Sequence, residues 1–158
     1  MKQKYLQFYY IDQEYIKNIR IIDEKIPTKN RPYIGIILNY KEYTYLAPLY
    51  SAKEKHKDYY MNNTFFRIYD YYNNYIGLIR FSNMIPVPSK FIKKINCKSS
   101  QKLYQEYFYI SKHINQIKRK ALFTYKNYKK FQNICIDFKN IEKRLEEVNV
   151  FWYKVKYY

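Results

Sequence analysis

Glycine is nearly missing: Gly35 and Gly77 are the only two in 158 residues, which excludes a glycine-rich phosphate loop and the NTPase and dinucleotide-binding readings that depend on one. Cysteine is equally scarce. Cys97 and Cys135 stand far apart in a chain without an apolar leader, so no disulfide framework and no paired zinc spacing is available, and reduced thiols in a cytoplasmic protein are expected. The 13 acids are scattered, with no Asp-x-Asp and no Glu pair on adjoining strand-like segments. A two-metal nuclease would have to gather its ligands from isolated positions, so no metal site and no cofactor is expected. The longest apolar run, Ile34 to Leu38 after Tyr33, is far short of the roughly 20 residues a membrane span requires.

Base and aromatic rings are what the chain has in excess. It carries 30 Lys and Arg against 13 Asp and Glu, a net charge of +17, which points to an extended anionic partner, and a nucleic acid fits best. An AT-rich genome would over-supply Lys, Tyr, Ile, Asn and Phe together, yet it accounts poorly for the shortage of acids, whose codons are not especially GC-rich. The 23 Tyr and 10 Phe can bury enough area for a folded chain.

The pattern changes along the chain. A strand-like segment at Leu6 to Ile11 is followed by Asp12, a helix cap, and by Tyr15, Ile16, Ile19 and Ile22 at helical spacing, with Pro27 ending the helix. Tyr33 to Leu38, Tyr43 to Ala47, Thr64 to Tyr69 and Tyr75 to Phe81 read as antiparallel strands, turned at Asn39 to Glu42 and at Asp70 to Asn74. After Ser99 and Ser100, Leu103, Tyr107, Ile110, Ile114, Ile117, Ala121, Tyr125 and Tyr128 predict one long amphipathic helix, packed against the sheet rather than in a coiled-coil seam. Asp137 caps a second helix with Ile141, Leu145 and Val148 on one face, and residues 150–158 form an aromatic, basic tail without a period. The expected class is α+β in a single domain over 1–158: sheet-rich 1–98, helical 99–149, then the tail.

RNA supplies its own nucleophile, the 2′-hydroxyl, so cleavage needs only groups that orient it, remove its proton and neutralise phosphoryl charge. The segment Tyr45-Leu46-Ala47-Pro48-Leu49-Tyr50-Ser51-Ala52-Lys53-Glu54-Lys55-His56 concentrates such groups where a hydrophobic strand opens into a polar loop, with Pro48 expected to stop the strand ladder. A lysine-rich solvated connection is the plain alternative.

That segment, with Tyr33-Ile34-Gly35-Ile36 before it and Ile76-Gly77-Leu78-Ile79 to Met84-Ile85-Pro86 after it, resembles the ToxN/AbiQ family of type III toxin–antitoxin toxins. The likeness runs from Phe8-Tyr9 through the helical half to Asp137-Phe138 and the last helix. It implies a small half-open antiparallel β-barrel of the Kid/MazF kind elaborated with helices, and an endoribonuclease that cuts single-stranded RNA without metal. It also implies inhibition by a small repeat RNA, a pseudoknot, whose precursor the toxin processes, in a closed protein–RNA assembly. Position by position, Ser51 and Lys53 match the family's active-site serine and lysine, Arg31 its basic residue before the glycine-containing strand, Tyr15 a helix tyrosine near the cleft, and His56 a histidine. The family's threonine is Tyr50 here, and an aromatic before the histidine is Lys55.

On this reading Lys53 and Arg31 contact the scissile phosphate, Ser51 bonds a non-bridging oxygen or the 2′-hydroxyl, and Lys53, Tyr15 and His56 are alternatives for the base. His113 reads as structural. Tyr33, Tyr50, Lys55, Arg80, Lys90, Lys118, Arg119 and Lys120 are the expected RNA-binding residues, Lys126, Lys129 and Lys130 continuing the last cluster. Two other readings use the same residues: a non-catalytic RNA-binding module, and a Kid/MazF-shaped toxin acting on a protein such as topoisomerase.

Overall fold

The computed structural model describes residues 6–40, 43–54 and 63–156. The described residues form seven strands and four α-helices: β1 (Phe8–Ile11), α1 (Gln13–Arg20), β2 (Tyr33–Tyr40), β3 (Tyr43–Ser51), β4 (Phe65–Tyr69), β5 (Tyr75–Arg80), β6 (Ile85–Val87), β7 (Ile92–Ile95), α2 (Gln101–Lys112), α3 (Ile114–Lys126) and α4 (Phe138–Lys156). The sheet is antiparallel and open, ordered β4-β5-β3-β2-β1-β7, with β6 also paired to β3. The class is therefore α+β.

The start of the chain follows its sequence closely. The Asp12 carboxylate accepts the Glu14 N–H at 2.8 Å, and Tyr15, Ile16 and Ile19 form the buried face of α1. The helix ends at Arg20, well before Pro27, because Arg20 turns back and donates to the Ile26 and Glu24 carbonyls at 2.7 and 3.1 Å. At the β4–β5 hairpin the Asp70 carboxylate accepts the N–H groups of Tyr72 and Asn74 at 2.9 and 2.8 Å, and Asn73 takes φ 63°, the left-handed value asparagine tolerates. The Lys41–Glu42 part of the first expected turn lies outside the described residues.

Pro48 does not stop the ladder, and the reason fixes the site. Strand β3 runs through it to Ser51, pairing Thr44 to Leu46 with β6 and Leu49 to Ser51 with β5. Between those two partners the chain makes a short 3-10 turn at Phe81–Asn83, leaving a gap in the ladder opposite Pro48. Leu49 donates its N–H to the Pro32 carbonyl on the β2 side, so by strand alternation the missing N–H of Pro48 faces that gap.

The single long helix is two helices. His113 leaves helical geometry at φ −110° and ψ 16°, closing α2 and opening α3, while its ring lies 4.4 Å from Tyr109 and 5.7 Å from Phe66. The apolar stripe survives the break because Ile110 and Ile117 lie seven residues apart, two turns, so a spacing count does not register one non-helical residue. Ser100 provides the cap, its hydroxyl accepting the Leu103 N–H at 3.1 Å. Asp137 caps α4 through the Asn140 N–H, and its own N–H is accepted by the Asp23 carboxylate at 2.9 Å. Ile110, Ile117, Ala121, Phe138 and Ile141 join the strand residues in one buried cluster. The helical half packs inward, as expected.

Candidate active site

Ser51 is the last residue of β3, exposed, and held in register opposite Gly77 of β5. A side chain at the end of a paired strand has a fixed origin yet faces solvent, which suits a reactive group. Its Oγ accepts a hydrogen bond from the Lys102 ammonium of α2 at 3.0 Å. Lys53, two residues on, is exposed just past the strand.

Tyr50, the residue before the serine, gathers two cations. The Arg31 guanidinium lies 3.8 Å from its ring centroid and Arg80 lies 5.0 Å away, so two positive groups share the aromatic residue next to Ser51. Burial pushes the Tyr50 phenol up, with Arg31 and Arg80 pulling it back. Tyr33 sits against the same group: it is 1% exposed, and burial is the main cause of its raised pKa, with Tyr50 adding to the rise and Arg31 opposing it. Arg31 Nε and the Tyr33 hydroxyl are buried without a hydrogen-bond partner among the described residues. Two donors beside Tyr50 thus lack an acceptor.

The other expected residues are dispersed. Tyr15 is a core residue that donates its hydroxyl to the Pro86 carbonyl and stacks on Phe91 at 4.8 Å; burial pushes its phenol well above the ordinary value. Lys55 and His56 lie outside the described residues. Lys90 is exposed, with its ammonium 5.0 Å from the Phe91 ring. Lys118, Arg119, Lys126, Lys129 and Lys130 are exposed, whereas Lys120 is half-buried, directs its ammonium to the Phe65 carbonyl at 3.5 Å, and has its pKa lowered by burial and by Arg67. Among the described residues no three His, Cys, Asp or Glu side chains gather as a metal site, and no helix is long and apolar enough to cross a membrane.

Two residues at the site escaped the sequence reading. Lys102 lies 51 residues from the serine it touches. Glu106 is 5% exposed, and a β-carbon at Gly77 would stand 2.8 Å from its Oε2 and 3.3 Å from the Tyr50 carbonyl oxygen. Here glycine is required by close approach, not by backbone conformation. A signal for Glu106 was present: it is an acid three residues after Leu103 and four before Ile110, on the buried stripe.

The chain as a whole is similar to proteins of one kind. The family model described as toxin ToxN of the type III toxin–antitoxin system matches residues 7–146. The chain is 24% identical over 164 residues to the endoribonuclease ToxN of Bacillus thuringiensis subsp. kurstaki, covering 89% of this chain and 83% of that one. It is 32% identical over 92 residues to the endoribonuclease ToxN of Pectobacterium atrosepticum, covering 52% and 54%. Among solved structures it resembles a toxin selectively inhibited by a non-coding RNA pseudoknot, with TM-score 0.80, 25% identity, and coverage of 92% of this chain and 99% of that one. The lactococcal anti-phage endoribonuclease AbiQ shares the fold with TM-score 0.82 at 22% identity over 92% and 99% of the two chains. With most of its length matched by the family model and its fold shared throughout, the chain belongs to the ToxN family of type III toxin–antitoxin toxins.

Proposed function

We propose that the chain is a single-domain, metal-independent endoribonuclease that cuts single-stranded RNA, with a preference for sequence, to 2′,3′-cyclic phosphate and 5′-hydroxyl ends. The observation that carries this reading is Ser51, exposed at the end of β3 with the Lys102 ammonium 3.0 Å from its Oγ and preceded in the chain by Tyr50, whose ring lies 3.8 Å from the Arg31 guanidinium. The 2′-hydroxyl gives its proton to a base, the O2′–P bond forms, the P–O5′ bond breaks and the 5′ oxygen takes up a proton. Arg31 and Lys53 stabilise the extra negative charge, and Ser51 bonds a phosphoryl oxygen. Lys53 and His56 are the stronger candidates for the base, since the Tyr15 hydroxyl is already engaged with Pro86 and its phenol resists ionisation.

The relatives' known restraint is RNA, a pseudoknot in one and a processed non-coding RNA in another. We extend this to the present chain, as a cytoplasmic toxin held in a closed assembly with a small repeat RNA that it processes from a precursor. The exposed bases Lys90, Lys118, Arg119, Lys126, Lys129 and Lys130 supply its phosphate contacts. The change of partner along β3 and the register shift in β2 between Ile34 and Leu38 support a curled sheet of the half-open Kid/MazF kind. The test is incubation of the purified protein with adenine-rich single-stranded RNA in EDTA. New ends carrying cyclic phosphate are expected, while RNA that is bound but intact would make the protein a binder, and RNA neither bound nor cut would favour a protein target.

A further inference from the structure

Lys102 stands where a helix least favours a cation. It is the second residue of α2, in a first turn that holds no acid, where the helix dipole and unpaired N–H groups attract negative charge. Its ammonium is directed to Ser51, an exposed residue, and a hydrogen bond at the surface adds little once the ordering of a lysine side chain is subtracted. The contact therefore contributes little to the stability of the helix or of the fold.

The ground beneath it is equally specific. Glu106 lies one helical turn further along α2, buried, with its carboxyl against Gly77, the residue paired with Ser51. Glycine at 77 allows the carboxyl to come so close to the strand. A hydroxyl and an ammonium in hydrogen-bond contact, with a buried carboxyl one helical turn away, therefore lie where β3, β5 and α2 converge.

We propose that Lys102 is a catalytic residue of the RNA-cleaving site, its ammonium shared between Ser51 Oγ and a non-bridging oxygen of the scissile phosphate, and that Glu106 is the positioning residue that governs its aim. This rests on the assignment of Ser51 and Lys53 to that site. As the O2′–P bond forms and the P–O5′ bond breaks, the 2′ proton goes to the base and the 5′ oxygen is protonated in turn. Lys102 transfers no proton and stabilises the charge gathering on the phosphoryl oxygens.

Burial pushes the Glu106 carboxyl up to about 7, against the opposing pull of Lys102, so its charge changes near neutral pH. The charged group acting on it is Lys102, on its own helix, while β5 faces it with Gly77 and β3 with the Tyr50 carbonyl, neither of which titrates. Below about 7 the carboxyl is neutral and leaves the ammonium to Ser51 and the phosphate. Above it, the carboxylate draws Lys102 back along the helix, an attraction between residues four apart.

The experiment measures single-turnover cleavage of adenine-rich RNA in EDTA, with RNA affinity and circular dichroism, for the full-length wild type and for Ser51→Ala, Lys53→Ala, Lys102→Ala, Lys102→Arg and Glu106→Gln. Lys102→Ala is expected to cleave about 100-fold more slowly with RNA affinity within about threefold, and Lys102→Arg to recover about tenfold of the loss. The ratio of the Glu106→Gln rate to the wild-type rate, which cancels the titration of the base, is expected to rise about twofold between pH 6 and pH 8.5. Lys102→Ala cleaving within twofold of wild type overturns the role of Lys102, and a ratio flat with pH overturns that of Glu106. Full activity in Ser51→Ala and Lys53→Ala overturns the site assignment instead, so the two failures are distinguishable.

Discussion

Lys53→Ala is expected to lower single-turnover RNA cleavage about 1,000-fold and Ser51→Ala about 100-fold, while both proteins keep wild-type circular dichroism. The transition state adds a negative charge to phosphoryl oxygens that already carry one, and each fixed donor aimed at that charge is worth roughly two to three powers of ten. Lysine supplies a full charge and serine a dipole, hence the order. Both side chains are exposed, so their removal leaves no cavity in the core. Affinity for RNA should fall far less than the rate, and for Lys53→Ala the dependence of log affinity on log salt should flatten by about 0.7, the contribution of one contact to single-stranded phosphate. A binding module that merely grips RNA through this loop predicts the reverse, a large effect on affinity and no rate to lose.

The largest effect on stability is expected from Glu142→Ala. Glu142 is 3% exposed on α4 and accepts the Tyr45 hydroxyl at 2.8 Å and the Tyr125 hydroxyl at 2.8 Å, with the Lys139 ammonium 3.3 Å away. Tyr45 is fully buried in the central strand, and burial together with the neighbouring Glu142 carboxylate pushes its phenol far up. The carboxylate is therefore a buried polar link between α4 and the sheet. Removing it strands the Tyr45 hydroxyl in the core and opens a void, at a cost of about 3 kcal/mol out of a total near 10. Glu142→Gln keeps an acceptor oxygen and is expected to cost about 1 kcal/mol. Urea unfolding measures both, and Tyr45→Phe in the Glu142→Ala background should cost less than Tyr45→Phe alone, because the stranded hydroxyl is gone.

The sequence carried β1 to β5 well, because their signal is local, whereas the short strands β6 and β7 were not anticipated. Tyr33 to Leu38 and Tyr75 to Phe81 each show the β-branched and aromatic run of a strand, and Asp70 with Asn73 specifies the hairpin between β4 and β5. The end of α1 was misplaced because Arg20, not Pro27, closes it by bonding the carbonyls that follow. The strand through Pro48 was hidden for a different reason: proline ends a ladder only where its edge needs a donor, and the gap opposite it is made by residues more than thirty positions later. The break at His113 left the seven-residue spacing of the stripe intact.

The candidate site was half visible in the same way. Ser51 and Lys53 share one short segment, and Arg31 precedes the strand paired with theirs, so a linear motif displays all three. Lys102 reaches Ser51 only because α2 folds back over the sheet, and nothing in the residues around Lys102 announces a serine 51 positions away. Glu106 was exposed to inspection as the acid on an apolar stripe, and Tyr50, which differs from the family's threonine, shows its use only when Arg31 and Arg80 are seen against its ring.

The most direct measurement replaces one atom of the substrate. Once the wild-type cut is mapped on an RNA oligonucleotide, the same oligonucleotide is made with a single 2′-deoxy sugar on the 5′ side of the scissile phosphate. If the ribose is the nucleophile, cleavage at that linkage disappears while binding and neighbouring cuts persist. Cleavage at an unchanged rate across the deoxy sugar would show that water or a protein group attacks phosphorus, and the mechanism built on Ser51, Lys53 and Arg31 would fall.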